Sequence, residues 1–171
     1  MNLIEIKSDP NLISNNTIME DLLLDCHCAL FFIDISDQKG FESIKNIMDL
    51  IDKNLYPDLK KILVENKSDI EPELPSEDIY KYINDNKEID HIKISVKDGK
   101  NLEELKLKIY NEINSPNKKL TPMDKVLKSN RKFDLKNLRN IEDNTKSISI
   151  ILLGNSGVGK TNFMMRYIMK I

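Results

Sequence analysis

A chain of 171 residues is long enough for one domain with a hydrophobic core and too short for two complete nucleotide-binding domains. Its 26 Lys and Arg against 28 Asp and Glu leave a formal net charge of -2, so bulk charge gives no reason to expect nucleic acid or an anionic membrane as partner. Cys26 and Cys28 make no disulfide framework, Met1 opens no basic-then-apolar leader, no apolar run approaches the ~20 residues of a membrane span, and Tyr167 to Ile171 lacks a prenylation cysteine, so a cytoplasmic protein without its own membrane anchor is expected.

Short β-branched runs alternate with segments of helical period, which predicts βα units around a mainly parallel sheet. Asn2 to Ile6 reads as the first strand, and Thr17 with Glu20 forms a capping box for a helix to about Asp25. Cys26, His27 and Cys28 lie too close together to wrap a tetrahedral ion and have no second pair at suitable spacing, so no zinc site is expected there. Ala29 to Ile35, almost wholly apolar, reads as a strand buried on both faces.

A helix follows from about Phe41, with Phe41, Ile44, Ile47, Met48 and Ile51 on one stripe, and Tyr56-Pro57 ends it. Lys61 to Val64 is the third strand, Ser76 caps the next helix, and His91 to Val96 is the fourth strand. Asn101 with Glu104 reads as another capped start for a helix striped by Leu102, Leu105, Ile109 and Ile113 that stops before Pro116. Residues 116–146 form a polar stretch with a basic excess, read as a solvated linker, with an anionic-surface contact as the alternative, in which Thr121-Pro122 could start a short helix. Ser147 to Leu153 is then a strand running into a glycine turn.

That turn, Gly154-Asn155-Ser156-Gly157-Val158-Gly159-Lys160-Thr161, fits the G-x-x-x-x-G-K-[ST] phosphate loop and lies between a buried strand and a helix, as its mechanism requires. Its glycines let backbone N–H groups converge on phosphates, and the helix N-terminus adds positive potential. In that chemistry Lys160 reaches the β- and γ-phosphates and Thr161 presents its hydroxyl to Mg2+. Asn66-Lys67-Ser68-Asp69 follows a strand. A carboxylate at Asp69 can accept two N–H bonds from the guanine edge, which adenine lacks, while Asn66 and the Lys67 stem frame the ring. Ser95-Val96-Lys97 could close a backbone amide and an aliphatic stem over the base. Either tripeptide or tetrapeptide alone is an ordinary turn; together all three motifs lie past the carboxyl ends of predicted parallel strands, where open α/β sheets bind ligands.

These segments resemble the Ras-like small GTPases, and their Rab branch in particular. Ala29 to Asp37 with Phe41 to Asn46 is similar to that family's fourth strand and following helix. The NKSD and SVK segments are similar to its base-reading motifs, with Val96 for the usual alanine, and residues 154–167 to its phosphate loop and first helix. The resemblance implies an α/β P-loop NTPase fold, a mainly parallel sheet with helices on both faces, and GTP or GDP with Mg2+ as ligands. The order is rotated, however, because the base-reading motifs precede the phosphate loop. Laid on the family, residues 2–114 supply strands three to six and the last helix, and residues 147–171 supply strand one and helix one. That is a circular permutant lacking edge strand two and switch I. At switch II, Lys7-Ser8-Asp9-Pro10 has Lys for the metal-linked Asp and Pro for the glycine that senses γ-phosphate, and the water-positioning glutamine is missing. Asp37-Gln38-Lys39-Gly40 matches the switch II pattern formally but follows the wrong strand.

In the family's sheet, strand one lies between strands three and four, so residues 2–6 and 29–35 would flank an empty slot unless residues 147–153 fill it. Each unpaired buried backbone group costs ~1–3 kcal/mol. A linker of roughly thirty residues spans up to ~100 Å, so closure within the chain is expected, with residues 1–115 and 147–171 forming one domain across the 116–146 linker. A domain-swapped dimer and the start of a second tandem domain are the rival closures. Guanine-nucleotide binding with slow or absent hydrolysis is therefore expected, with an exposed sheet edge open to a protein partner. A degenerate GTPase-like interaction module that does not switch is the alternative; an ATP-using enzyme is disfavoured by Asp69.

Overall fold

The apolar runs become strands in the computed structural model, which describes residues 2–7, 19, 22–23, 26–56, 59–70, 76–86, 89–114 and 148–169. In chain order the elements are β1 (Asn2–Lys7), β2 (Cys28–Asp34), α1 (Gln38–Leu50) running into a π-helical turn (Ile51–Leu55), β3 (Lys60–Asn66), α2 (Ser76–Asp85), β4 (Ile89–Lys93), α3 (Leu102–Asn114), β5 (Ser149–Gly154) and α4 (Lys160–Met169). The sheet order is β1-β5-β2-β3-β4, and every pairing is parallel.

The last strand thus sits between the first two. Ile151 lies opposite Ile4 on one side and Ala29 on the other. A strand paired on both edges and covered on both faces favours a continuous apolar run, and all six residues of β5 are buried. The two-residue period of a strand divides such runs between two cores. Phe31, Ile33, Ile151 and Leu153 face α1 and α2 through Phe41, Ile44, Met48, Ile79 and Tyr82. Leu30, Phe32, Ile150 and Leu152 face α3 and α4 through Leu102, Leu105, Ile109 and Phe163. Helices therefore cover both faces, as the alternation of strand and helix in the sequence implies.

Several local expectations shift for identifiable reasons. Helix α1 begins at Gln38, ahead of Phe41, because the Asp37 carboxylate accepts the Gly40 N–H at 2.9 Å and caps it. A Cβ on Gly40 would stand 2.5 Å from that carboxylate, so Asp37 to Gly40 is a capped helix start. Strand β3 runs on to Asn66, and β4 ends at Lys93, leaving Ser95 in an isolated antiparallel bridge with Lys100. Asn101 does not form the expected capping box. It takes φ 58°, and its side-chain amide donates to the Lys93 carbonyl at 2.8 Å, while its own carbonyl accepts from Leu105 N at 3.0 Å. Cys26 and Cys28 are buried in the two cores, and between them His27 continues the β5 pairing, donating its N–H to the Ser149 carbonyl at 2.9 Å. The Thr17–Glu20 capping box and the 116–146 linker lie outside the described residues, although Met19 and Leu23 are buried against α1's face of the sheet. Among the described residues no helix is long and apolar enough to cross a membrane.

Because β1 reaches β2 only through β5, a chain truncated before residue 147 should lose cooperative urea unfolding monitored by circular dichroism. Adding a peptide of residues 147–171 should restore it, since each unpaired buried backbone group costs ~1–3 kcal/mol.

Candidate functional site

Three loops leave the carboxyl ends of β5, β3 and β4 on one side of the sheet. The loop after β5 approaches its neighbours too closely for side chains at two glycines. A Cβ on Gly154 would lie 2.5 Å from the Phe32 carbonyl oxygen, and one on Gly159, where φ is +95°, would lie 2.3 Å from Asn66 Nδ2. Val158 drops its side chain into the core, whereas Ser156 and Gly157 stand exposed at the loop's tip.

Lys160 is buried, and its ammonium folds back on its own loop, donating to the carbonyls of Gly154 and Asn155 at 2.8 Å each. Burial holds its pKa below the ordinary lysine value, and the Lys7 charge pushes the same way, while Glu5 opposes them. Glu5 projects from β1 to meet it, with Oε1 3.8 Å from Lys160 Nζ. Both Glu5 oxygens accept the Thr161 hydroxyl, at 2.9 and 2.8 Å. Glu5, Lys7, Ser156, Gly157, Gly159, Lys160, Thr161 and Asn162 line a cavity of about 270 Å³. That is below the ~300–1,000 Å³ of sites that enclose a whole small molecule, so it suits one charged part of a larger ligand. Two ammonium groups against one carboxylate give the lining a positive excess suited to an anion.

The Asn66 side chain is buried and spans two loops. Its Nδ2 donates to the Val158 carbonyl at 2.7 Å, and its Oδ1 accepts from the Val96 backbone N–H at 2.9 Å. Lys67 follows at φ 67°, uncommon for a residue with a Cβ, and its ammonium pairs with Asp34 at the end of β2. Burial pushes the Asp34 carboxyl up, but bonds from Lys67 and Ser36 outweigh it and hold the group below its ordinary value. Asp69 Oδ1 accepts the Ser95 hydroxyl at 2.7 Å, and Oδ2 lies 3.6 Å from Lys97 Nζ. The Ser95 bond chiefly keeps Asp69 below the ordinary carboxylate value, so it is an anion throughout the neutral range. Ser95 is itself set by accepting the Asp98 N–H at 3.0 Å. Lys97 leaves its stem exposed, and its carbonyl accepts from Arg166 of α4 at 2.7 Å.

The sequence-predicted residues therefore fall into two groups. Lys160 and Thr161 gather around the cavity; Asp69, Ser95 and Lys97 form a second cluster; Asn66, Val96 and Val158 join the two. Glu5, Asp34 and Arg166 are positioning partners that sequence reasoning did not single out. Glu5 carries a visible signal, a lone charge within the apolar run Leu3-Ile4-Glu5-Ile6. Asp34 and Arg166 carry none, because a charge ending a strand or dotting a helix is ordinary. For a divalent cation, the Thr161 hydroxyl and Glu5 carboxylate fit, being hard oxygen donors on one wall of the cavity. Lys7, in the same lining, cannot serve as a ligand while charged.

Compared with known proteins, the chain matches the sequence model of the Ras family over residues 15–115. No curated protein matches it. The matched span holds Asn66 to Asp69 and Ser95 to Lys97, but neither Glu5 nor the loop of Lys160.

Replacing Asn66 with Ala removes both bridging bonds and leaves buried groups unpaired, which should cost about 1–3 kcal/mol in urea denaturation. Ser95→Ala should raise the Asp69 titration toward its ordinary 3.8, read by carboxyl 13C NMR. Asp69's folded value is depressed, so its contribution to stability is complete above the unfolded pKa and lost as pH falls through the folded one. Ser95→Ala should therefore narrow the pH range below 3.8 over which stability still falls.

Proposed function

Since this chain belongs to the Ras family, we propose that it is a guanine-nucleotide-binding protein of Rab-like kind whose elements run in circularly permuted order. The observation that carries this reading is the Asn66 bridge. One buried amide bonds to Val158 in the phosphate loop and to Val96 in the third loop, so two motifs distant in sequence share one mouth. On this reading the amides of Asn155 to Gly159 and the Lys160 ammonium receive the phosphates. Lys160 already donates to backbone carbonyls and would exchange them for phosphate oxygens. Asp69, ionised and oriented by Ser95, accepts the N1 and N2 hydrogens of guanine, with the stems of Lys67 and Lys97 beside the ring. Mg2+ would be held near Thr161, where it neutralises charge on the phosphates.

Hydrolysis is proposed to be slow or absent. Lys7 stands in the cavity lining where a metal-linked carboxylate would be needed, and its neighbours Ser8 to Pro10, with proline for the γ-phosphate-sensing glycine, lie outside the described residues. Asn11 follows Pro10 where the family's water-positioning glutamine would stand, so Lys160 and the loop amides carry the transition-state stabilisation on this reading. Residues 147–171 are proposed to close the domain within one chain, supported by the pairing of β5 with β1 and β2.

A non-switching interaction module is the second reading. It is favoured by Lys7 in the lining and by β1, whose outer edge has no partner strand among the described residues and could accept a strand from another protein.

Titration with fluorescent GDP should show saturable binding that GDP, but not ATP, competes away. Asp69→Ala should weaken GDP about tenfold or more, the worth of a bond to a charged group. Mg·GDP at 100 times its Kd should add about 2.7 kcal/mol of stability; melting curves unchanged by it would favour the module. Single-turnover GTP cleavage should run on the order of 10⁻⁴ s⁻¹ or slower.

A further inference from the structure

We infer that Glu5 is the carboxylate through which this chain holds the divalent cation of its bound nucleotide, in place of the group missing at Lys7. The inference rests on the nucleotide-binding reading above. Mg2+ at phosphates is ordinarily bound by one or two carboxylates together with phosphate oxygens and water. Among the described residues lining the cavity, Glu5 is the one carboxylate.

Its position follows from strand geometry. Residues 5 and 7 of β1 share a face because side chains alternate, and both line the cavity beside α4's first turn. The ammonium of Lys7 cannot ligate a cation, so the oxygen donor comes from two residues earlier. Its longer side chain brings both oxygens to the Thr161 hydroxyl, at 2.9 and 2.8 Å, and leaves the carboxylate 3.8 Å from the Lys160 ammonium. The residue that presents a hydroxyl to Mg2+ and the carboxylate that would share the ion are thus already in contact. Leu3, Ile4 and Ile6 around it pack against the apolar cores, while Glu5 and Lys7 are the exposed charged positions of this edge strand.

The same contact has a rival meaning. A carboxylate lodged beside Lys160 and Thr161 could act as a plug that repels phosphate. The two roles predict opposite signs. A cation ligand strengthens nucleotide binding only when Mg2+ is present, whereas a plug weakens it whether Mg2+ is present or not.

Release of fluorescent GDP from the full chain, in excess Mg2+ and after chelation, separates them. In the wild type, chelation should speed release about tenfold or more; in Glu5→Gln this effect should shrink to about twofold or less, with chelated rates matching the wild type. Glu5→Asp, which keeps the charge but shortens the reach, should retain part of the Mg2+ effect and guards against a folding defect in the first variant. With Mn2+ as probe, electron paramagnetic resonance should show one ion held per GDP-loaded wild-type chain, and about tenfold weaker retention in Glu5→Gln. An undiminished Mg2+ effect in Glu5→Gln, or tighter GDP binding in both conditions, would overturn the role of Glu5 and leave nucleotide binding standing. A wild-type chain that binds no labelled GDP would overturn both readings.

Discussion

The backbone ladder of Ser149–Gly154 is the contact on which the rest of the molecule depends. It bonds along one edge to Asn2–Lys7 and along the other to β2, so strands from opposite ends of the chain become neighbours. Without it, β1 would have no partner, and Phe31, Ile33 and Phe32 would lose the apolar residues of β5 on their flanks. Fixing this strand also fixes the loop that follows, because Gly154 lies against the Phe32 carbonyl. The loop after β5 is therefore aimed by the sheet and held by the core through Val158.

The polar side of the site is organised by pairs, each joining a carboxylate to a partner from a different segment. Asp34 holds Lys67, Asp69 holds Ser95 and faces Lys97, and Glu5 holds Thr161. Two of these are ion pairs to partly exposed lysines, worth only ~0–1 kcal/mol each, and two are hydroxyl–carboxylate hydrogen bonds, so their effect is chiefly to orient side chains. Asn66 differs in being buried. A buried amide left without partners is costly, which makes its two bonds a fixed distance constraint between the loop after β5 and the loop after β4.

The charge balance around Lys160 sets what the site can hold. Two ammonium groups and one carboxylate favour a multiply charged anion, and Lys7 adds positive charge where a cation would otherwise be recruited by an acid. Such a lining suits an anionic ligand, with Glu5 as the one carboxylate among the described residues lining it. On the proposed reading, the rotated order of segments leaves the recognition of nucleotide largely intact, and the altered residues at β1's end bear on what happens to the γ-phosphate.

Much of this was legible in the sequence because it is written in local patterns. The apolar runs of β2 and β5 mark strands, the stripes of α1 and α3 mark helices, and the phosphate-loop motif marks its own conformation through glycines that only a tight turn requires. Boundaries were less legible: α1 starts early because Asp37 caps it, and Asn101 turns to the Lys93 carbonyl because a left-handed backbone points its amide there. By itself the sequence determined which segments are strands, which turns carry polar chemistry, and the ionic residue types available to them, since these follow from period, propensity and side-chain chemistry. The family resemblance already implied β5 between β1 and β2; only the tertiary structure decided that Asn66 joins two loops and that Glu5 stands against Thr161. Those contacts join residues far apart in the chain, and no local periodicity encodes a distance that only packing closes.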